Sequence, residues 1–538
     1  MILSNRGLKS DEWKAAGYQI PLFDRKAVTE NTKKAPRWVH FGAGNIFRAF
    51  QANLMQKLLN EGVCDTGLVV AEGFDYDIIN LVNRPHNDLS ILMTLKADNT
   101  VDKSVIGSIV ESVILDSEDK ASFSRMKEIF SSPSLQMASF TITEKGYQLA
   151  DASGAVHPDV KRDWEHGPNK PESYIGKIAS LLYTRYQEDK LPIAMVSMDN
   201  CSHNGEKLEN AVLAFAENWV ERGSAEEGFL AYLKNEDKVS FPWTMIDKIT
   251  PRPDRKVEQI LKEDGIEDVS PLITPKHTYV ASFVNSEECE YLVIEDKFPN
   301  GRLPLDKAGV MFADRDTVEK VERMKVCTCL NPLHTALAIY GCLLGYDLIS
   351  EEMKNPLLKK MIERIGYKEG LPVVTDPKIL NPEHFIDEVV NKRIPNPFMP
   401  DTPQRIATDT SQKLAIRYGE TVKSYLGDDT LDVKDLKMIP LVYAGWFRYL
   451  MGIDDDGKKF ELSPDPMLDV ICPALASLKL GQVKDAEKVL KPFMENSALF
   501  GVNLYEVGLA AQVLQYYKEL AAGPGAVKKT LETYVKKA

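Results

Sequence analysis

The stretch Arg37-Trp-Val-His-Phe-Gly-Ala-Gly-Asn-Ile-Phe-Arg48 decides the fold of the amino-terminal part of the chain. Residues 38–41 favour a short strand, the glycines at 42 and 44 favour a tight turn, and the residues after them have the apolar spacing of a helix. Glycines let a backbone approach a pyrophosphate, and a helix amino terminus stabilises its charge. The pattern predicts a nucleotide-binding unit, although Phe47 replaces the third glycine of the usual motif.

A second predicted strand, Gly67-Leu-Val-Val-Ala-Glu72, follows the predicted helix. A carboxylate at the end of this strand can accept hydrogen bonds from a ribose diol, which favours NAD over NADP. The alternative is that Glu72 is an ordinary solvated strand end. We therefore expect a Rossmann-type domain with an NAD site that includes Gly42, Gly44 and Glu72.

The composition excludes several classes of protein. The chain has 538 residues, 44% of them apolar and 27% charged, which is typical of a soluble globular protein of two or more domains. Its net charge of −13 argues against nucleic-acid binding. Seven scattered cysteines fit a reducing compartment. The amino terminus has no apolar signal core and no run of membrane-span length is evident, so we expect a cytoplasmic protein that binds no membrane.

Further along, an apolar strand over 191–197 ends in the polar cluster Met198-Asp-Asn-Cys-Ser-His-Asn-Gly205. Polar residues at the end of a core strand are where an open α/β sheet builds its site. Asn200 is therefore a candidate ligand of substrate or cofactor, and turn formation is the alternative. We expect residues 1–35 to be a polar lead-in and residues 150–172 to be a surface loop. The predicted domains are 1–290 and 291–538.

The stretch from Val321 to Leu348 places Lys325, Asn331 and His334 at the front of a long apolar run. Lysine can be a general base when its pKa is lowered, and asparagine and histidine can donate hydrogen bonds to a developing alkoxide. These groups suit hydride transfer to or from a secondary alcohol. The alternative is a solvated lysine, an asparagine that ends a helix and a histidine of the core.

Helix geometry makes a break in this stretch necessary if the three side chains are to act together. Lys325 and His334 would point in opposite directions on one straight helix, and Pro332 disfavours helical geometry at Asn331. We therefore predict a break near 328–332. The rest of the chain is predicted to be mostly helical, and Arg405, Asp409 and Lys413 are spaced four apart, as on one helical face. That face is either a surface ion-pair ladder or a cationic wall for a carboxylate.

Taken together, these landmarks resemble the polyol-specific long-chain dehydrogenase family, which includes mannitol 2-dehydrogenases and hexuronate reductases. The resemblance runs from residue 38 to about 467. It rests on an ordered set of motifs: Gly42-x-Gly44 with Arg48, 141–147, 197–200 with 204–205, 244–247, 293–302, 324–334, 411–413, 444–449 and 465–468.

The resemblance implies a metal-independent NAD enzyme with a Rossmann-type amino-terminal domain and a mostly helical carboxy-terminal domain. Its implied catalytic residues are Lys325 as general acid or base, Asn200 and Asn331 as holders of the substrate oxygen, and His334. The implied cofactor-binding residues are Gly42, Gly44, Asn45, Phe47, Arg48, Glu72 and Glu144. Arg405, Lys413 and Asp247 are placed on the substrate side, and Glu322 is linked to proton exchange.

This chain departs from the family pattern at one point. The family keeps four residues between the lysine and the asparagine, whereas this chain has five, Val326 to Leu330. An extra residue rotates the rest of a helix by about 100° unless a bulge absorbs it. Either a bulge is present or Lys325 is not the base.

The expected reaction interconverts a hexuronate ketose and its aldonate, D-fructuronate and D-mannonate. The alternatives are reduction of tagaturonate or of a neutral ketose, and a cofactor-binding protein without activity. The expected partner is a small sugar acid, and both a monomer and a homodimer remain open.

Overall fold

The computed structural model describes residues 1–537 and divides the chain into two compact units. The first unit comprises Met1–Leu95 and Thr100–Val318, and the second comprises Lys96–Asn99 and the chain from Glu319 onward. The boundary predicted after residue 290 falls between two strands of the first unit, 283–287 and 291–295.

The strands of the described residues all lie in the first unit. They are β1 Tyr18–Gln19, β2 Trp38–Phe41, β3 Leu68–Glu72, β4 Ser90–Leu95, β5 Val101–Ile106, β6 Ile109–Ile114, β7 Met137–Phe140, β8 Ile193–Ser197, β9 Val239–Ser240, β10 Thr244–Asp247, β11 Leu272–Ile273, β12 Tyr279–Val280, β13 Phe283–Glu287, β14 Tyr291–Glu295 and β15 Met311–Ala313.

The central sheet of this unit has six parallel strands in the order β6-β3-β2-β7-β8-β9. This is the Rossmann order, in which the chain reverses its direction of winding between the first and fourth strands, here β2 and β7. The segments that follow β2, β7 and β8 therefore meet at one edge of the sheet. The predicted Rossmann-type domain is confirmed, and its glycine turn lies at the topological switch point where such sheets bind ligands.

Helices cover both faces of the sheet because alternate residues of each strand face opposite sides. Val39 and Phe41 belong to one buried cluster, whereas Trp38 belongs to a second cluster on the other face. The helices of this unit are α1 Glu12–Ala15, α2 Arg25–Lys34, α3 Ala52–Asn60, α4 Lys120–Ser131, α5 Pro158–His166, α6 Tyr174–Gln187, α7 Asn204–Glu221, α8 Glu227–Leu233 and α9 Arg255–Glu263.

Three smaller sheets complete the first unit. Their strand orders are β1-β5-β4-β13, β10-β14-β15 and β11-β12. Short helical turns of the 3-10 type lie at Gly7–Lys9, Glu144–Tyr147 and Leu305–Ala308, and π-helical turns lie at Phe47–Gln51 and Ile78–Asn83.

Two sequence predictions for this unit are wrong. The predicted surface loop 150–172 contains α5, which has Pro158 in its first turn and buries Val160. The predicted lead-in 1–35 contains α2, whose first amides bond to the side chain of Asp24. Each helix buries one apolar residue, Val28 in α2 and Val160 in α5, and the rest of its sequence is mostly polar, which is also typical of a loop.

The second unit is helical, as predicted. Its helices follow α10 Arg315–Met324, which crosses the division between the units, and are α11 Asn331–Leu343, α12 Ile349–Glu352, α13 Pro356–Glu363, α14 Pro382–Glu388, α15 Pro403–Ala407, α16 Glu420–Leu426, α17 Met438–Tyr449, α18 Leu468–Leu475, α19 Ala486–Met494, α20 Ser497–Phe500, α21 Ala510–Leu520 and α22 Ala526–Lys537. Every residue of α17 is buried, and α17 packs against α11 and α21.

Irregular helical turns connect several of these helices. Turns of the π type lie at Lys325–Cys329, Arg364–Gly370, Val389–Arg393 and Ala415–Gly419, and 3-10 turns lie at Leu371–Val373, Thr410–Gln412 and Val433–Asp435. The helical run Arg315–Leu343 is long and apolar enough to cross a membrane, contrary to the sequence-based expectation. Because most of its apolar part is buried inside the protein, this run has the character of a core helix.

Candidate active site

The glycine turn after β2 combines one constrained glycine with one open glycine. Gly42 has a φ of +102°, and a Cβ there would lie 2.4 Å from the carbonyl oxygen of Thr141, just beyond β7. A Cβ at Gly44 would meet no atom within 4 Å. The helical segment starts at the next residue, Asn45. The turn thus presents an uncovered backbone at a helix amino terminus, which fits a dinucleotide pyrophosphate.

Glu72, at the end of β3, is bound to this turn. Its carboxylate accepts hydrogen bonds from the amides of Ala43 at 2.8 Å, Phe74 at 2.7 Å and Asp75 at 3.1 Å. Only 4% of Glu72 is exposed, and burial raises the pKa of its carboxyl against the opposing effect of the three amides. The alternative of a solvated strand end is therefore wrong. Contact between Glu72 and a ribose stays a prediction.

The side chains of Phe47 and Arg48 are buried behind the turn. The Phe47 ring stacks on His40 with centroids 4.2 Å apart. Arg48 donates to the carbonyl of Ala281 at 2.7 Å and to the Asn45 side chain at 2.9 Å, and burial lowers its pKa to about 10. These side chains shape the turn from inside. Contact of Asn45, Phe47 and Arg48 with a cofactor stays a prediction.

Asp199 ties together the ends of β7 and β8, and the sequence reasoning missed it. Its carboxylate accepts from the amides of Ile142 at 3.0 Å and Thr143 at 2.8 Å and from the Tyr147 hydroxyl at 2.5 Å. Thr143 has a φ of +64°, a conformation that is costly for a β-branched residue. The signal in the sequence was an aspartate at the end of a predicted core strand. These bonds fix the loop that carries Asn200.

The remaining site residues of the first unit differ in exposure. Asn200, next to Asp199, is exposed. Glu144 is also exposed and pairs with Lys207 at 2.6 Å. Asp247 is buried at the end of β10. The roles of these three residues stay predictions.

In the second unit, a π-helical turn separates Lys325 from Asn331. The Leu330 amide donates to the carbonyl of Lys325, five residues earlier, at 3.1 Å, and α11 then begins at Asn331 with Pro332 in its first turn. The predicted break is confirmed. A π-turn is an α-helix that holds one extra residue, so the five-residue spacing is absorbed as a bulge. Lys325 itself is 4% exposed, and Glu322 is partly buried one turn earlier on α10.

His334 lies on the first turn of α11 among charged groups. Its Nε2 atom is 3.8 Å from the Asp401 carboxylate. Burial lowers the pKa of His334 to about 4, and the nearby guanidinium groups of Arg417, Arg405 and Arg393 act in the same direction against Asp401. The imidazole is therefore neutral near pH 7 and can donate one hydrogen bond to an oxygen.

The predicted helical face formed by Arg405, Asp409 and Lys413 is wrong. Helix α15 ends at Ala407, and Asp409 has a φ of +53°, in the left-handed region. Arg405 is instead an exposed side chain that pairs with Asp401. Lys413 donates to the backbone carbonyls of residues 406 and 408, and burial, followed by the charge of Arg417, lowers its pKa to about 8.

Arg417 is a second residue that the sequence reasoning missed. Its guanidinium donates to the hydroxyl of Thr335, which follows His334 on α11. The adjacent Tyr418 donates its hydroxyl to the carbonyl of Pro332 at 2.6 Å. The π-turn Ala415–Gly419 packs against the π-turn Lys325–Cys329, so these contacts join Arg417 to the segment that carries the predicted catalytic residues.

Within residues 1–537, no group of three or more histidine, cysteine, aspartate or glutamate side chains is arranged to hold a metal ion.

A six-stranded parallel sheet with a glycine turn at its switch point, followed by a helical unit with a buried lysine, defines a two-domain protein of the Rossmann-type dehydrogenase class.

Comparisons with known proteins identify the family. Residues 36–307 match the model of the mannitol dehydrogenase Rossmann domain, and residues 317–521 match the model of the mannitol dehydrogenase C-terminal domain. The chain belongs to the mannitol dehydrogenase family.

Three known proteins are similar to this chain over nearly its whole length. It is 51% identical to a D-mannonate oxidoreductase of Thermotoga maritima over 525 residues, which is 97% of each chain. Among solved structures, a mannitol 2-dehydrogenase of Pseudomonas fluorescens in a ternary complex with NAD and D-mannitol matches with a TM-score of 0.68 and 26% identity, over 100% of both chains. A substrate-free D-sorbitol dehydrogenase has a TM-score of 0.81 at 23% identity, covering 99% of this chain and 100% of that one, and shows the shared fold alone.

Proposed function

We propose that this protein is an NAD-dependent oxidoreductase that interconverts D-fructuronate and D-mannonate. The observation that carries the proposal is the 51% identity to a D-mannonate oxidoreductase across 97% of both chains. Such similarity over both units supports a shared reaction as well as a shared fold.

The first unit supplies the features expected of a dinucleotide site. The open backbone at Gly44, the start of a helix at Asn45 and the carboxylate of Glu72 at the end of β3 fit a pyrophosphate and its adjoining ribose. NADH, when bound, supplies a hydride to a carbonyl carbon. The acidic residue at this position favours NAD over NADP.

Lys325 is proposed as the proton donor in reduction. The carbonyl carbon gains the hydride, the carbonyl oxygen gains the proton from the lysine ammonium, and the ketose becomes a secondary alcohol. In oxidation the neutral amine accepts the hydroxyl proton. Burial of Lys325 at the π-turn supports this role, because a proton carrier shielded from bulk water exchanges its proton with the substrate oxygen rather than with solvent. Glu322 is proposed to restore that proton from solvent between turnovers.

Asn200, Asn331 and His334 are proposed to donate hydrogen bonds to the same oxygen as charge develops on it. The low pKa of His334 supports this role, because a neutral imidazole is a donor without competing for the proton of the lysine. Arg405, Lys413 and Asp247 are proposed to bind the rest of the substrate. A chain with a net charge of −13 must meet an anionic substrate with locally placed cations, and Arg405 and Lys413 add positive charge to this region.

A substrate panel tests this function. Oxidation of NADH is measured with D-fructuronate, D-tagaturonate and D-fructose as substrates, and with NADPH as the alternative cofactor. The highest kcat/KM is expected for D-fructuronate with NADH. Preference for tagaturonate or fructose would transfer the proposal to another substrate of the family, and NADH binding without turnover of any ketose would identify a binding protein instead.

We also expect the enzyme to act in the cytoplasm, consistent with its reduced cysteines and its one core helix of membrane-spanning length among the described residues. A monomer and a homodimer both fit the sequence. Light scattering on the purified protein decides between these assemblies, and fractionation of the source cells checks the compartment.

A further inference from the structure

We propose that Arg417 binds the carboxylate of the substrate and so selects a sugar acid over a neutral ketose. This inference rests on the proposed function and adds a specificity residue to it. Three features carry it: the lack of a carboxylate partner for the Arg417 guanidinium, its attachment to α11, and the engagement of the alternative cations with other groups.

The Arg417 guanidinium has few partners for a partly buried group. It donates a hydrogen bond to the Thr335 hydroxyl, and within the part of the chain that the structure describes no carboxylate lies within ion-pair distance of it. Burial lowers the pKa of Arg417, and the group that opposes this effect is the Tyr418 phenol rather than a carboxylate. Arg185 and Arg448 also lack a carboxylate partner, but each donates to several backbone carbonyls. Arg417 donates to one hydroxyl, so the other donors of its guanidinium are available to a ligand that carries the opposite charge.

The position of Arg417 fits this role. Thr335 lies four residues after Asn331 on α11, so these side chains share a helical face, and His334 is adjacent to Thr335 in the chain. The charge of Arg417 acts on His334 directly. The π-turn of Arg417 also packs against the π-turn of Lys325. The guanidinium is thus placed beside the residues proposed to hold the reacting oxygen.

The other two cations of this region are less suitable for a carboxylate. Arg405 is 62% exposed and already pairs with Asp401. The Lys413 ammonium donates to two backbone carbonyls. Its pKa is about 8, so the side chain is neutral in a fraction of the molecules near pH 8. Arg417 remains charged and offers a planar fork of donors, which matches the two oxygens of a carboxylate.

The chemistry of the substrate gives this contact a specific consequence. D-Fructuronate differs from D-fructose at the carbon farthest along the chain from the ketone-bearing end, where a carboxylate replaces a hydroxymethyl group. A guanidinium that binds this carboxylate discriminates between the two substrates without contributing to hydride transfer. Loss of the contact should therefore raise KM for the acid and leave the neutral ketose unaffected.

The test compares Arg417→Met with Arg405→Met, and with Arg364→Met as a matched control in another π-turn of the same unit. For Arg417→Met, kcat/KM with D-fructuronate is expected to fall roughly 100-fold, mainly through KM. Turnover of D-fructose and the Kd of NADH should stay within about threefold of the parent protein. Where fructose turnover is too slow, calorimetric titration of the NAD complex with D-mannonate and with mannitol gives the same comparison.

Two further variants keep the test decisive if Arg417→Met does not fold. Arg417→Lys keeps the charge without the fork, and Thr335→Val removes the hydroxyl that orients the guanidinium; both should raise KM for the acid alone. Equal losses with acid and neutral substrates, or a selective loss in Arg405→Met instead, would overturn the inference. A parent protein that reduces fructose and no hexuronate would overturn the proposed function as well, whereas hexuronate turnover that is insensitive to Arg417 overturns the inference alone.

Discussion

The carboxylate of Glu72 accepts a hydrogen bond from the amide of Ala43 at 2.8 Å, so the last residue of β3 fixes the turn that follows β2. The same carboxylate holds two amides of the loop beyond β3, at residues 74 and 75. The glycine turn is thereby shaped before any ligand arrives.

This arrangement predicts the effect of Glu72→Gln. A glutamine amide turns an N–H toward one of the three backbone donors and leaves a buried amide unpaired, at a cost of about 1–3 kcal/mol. Because the disturbed groups form the turn, the Kd of NADH is expected to rise about tenfold, as measured by fluorescence titration. Glu61→Gln, on the exposed end of α3, is the control. Unchanged affinity in Glu72→Gln would remove this residue from the cofactor site.

Mutations of two buried glutamates of the second unit are expected to change the free energy of unfolding in opposite directions. Glu369 accepts three backbone amides at the start of α17, whereas Glu352 is completely buried and neither of its oxygens has a hydrogen-bond partner. Glu369→Gln should lower the free energy of unfolding by about 1–3 kcal/mol because an amide cannot accept at all three donors. Glu352→Gln should raise it at neutral pH. Urea denaturation measures both.

The pH dependence of stability distinguishes an effect of the ionisation of Glu352 from an effect of side-chain packing at this position. Burial raises its pKa well above the usual carboxyl value, so the unfolded chain releases this proton at a lower pH than the folded protein. In that window the folded state binds more protons, and stability falls as pH rises. Glu352→Gln should abolish this part of the pH dependence, and its advantage should therefore shrink toward about pH 4. A constant difference at all pH values would contradict the assignment.

Replacement of Lys325 by methionine tests the proposed acid and base. Methionine keeps much of the buried volume but has no proton to give, so kcat is expected to fall by about a thousandfold or more. NADH affinity should be retained, because the dinucleotide features lie in the first unit. Steady-state kinetics and NADH titration give both values. A variant with substantial remaining turnover would show that another group carries the proton.

His334 gives a prediction of its own for acid stability. Its pKa is lowered from the usual value near 6.5 to about 4 by burial and by neighbouring arginines. Between these pH values the unfolded chain binds more protons than the folded protein, so stability rises with pH across this window and is fully present above it. His334→Gln should lose this dependence. Parallel denaturation curves for parent and variant at about pH 7 and pH 5 check the difference; equal pH slopes would contradict it.

The sequence was sufficient for the regular parts of the fold. Strands β2, β3, β7 and β8 are buried along their whole length, and such continuous apolar runs separated by helices are characteristic of a parallel sheet. Helices α2 and α5 were missed because their sequences are mostly polar and each buries a single apolar side chain, Val28 in α2 and Val160 in α5.

The candidate site was predicted less evenly. The nine-residue separation of Lys325 and His334 and the proline at 332 were enough to predict a break. The left-handed backbone at Asp409 has no such signal, because spacing by four continues through it as if it were helix. Arg417 was missed for a related reason: its importance comes from the carboxylate it lacks as a partner and from its contact with Thr335, distant in sequence.

The turn at Lys325–Cys329 has a consequence for how this chain is compared with its relatives. An added amino acid is accommodated within one turn of the helix, so the side chains before and after that turn keep their directions. Against the four-residue spacing of the family pattern, the additional residue therefore lies inside a helical run rather than in a surface loop. If residue roles are transferred with one constant difference in residue number, the roles on one side of this turn are assigned one position away from the correct residue.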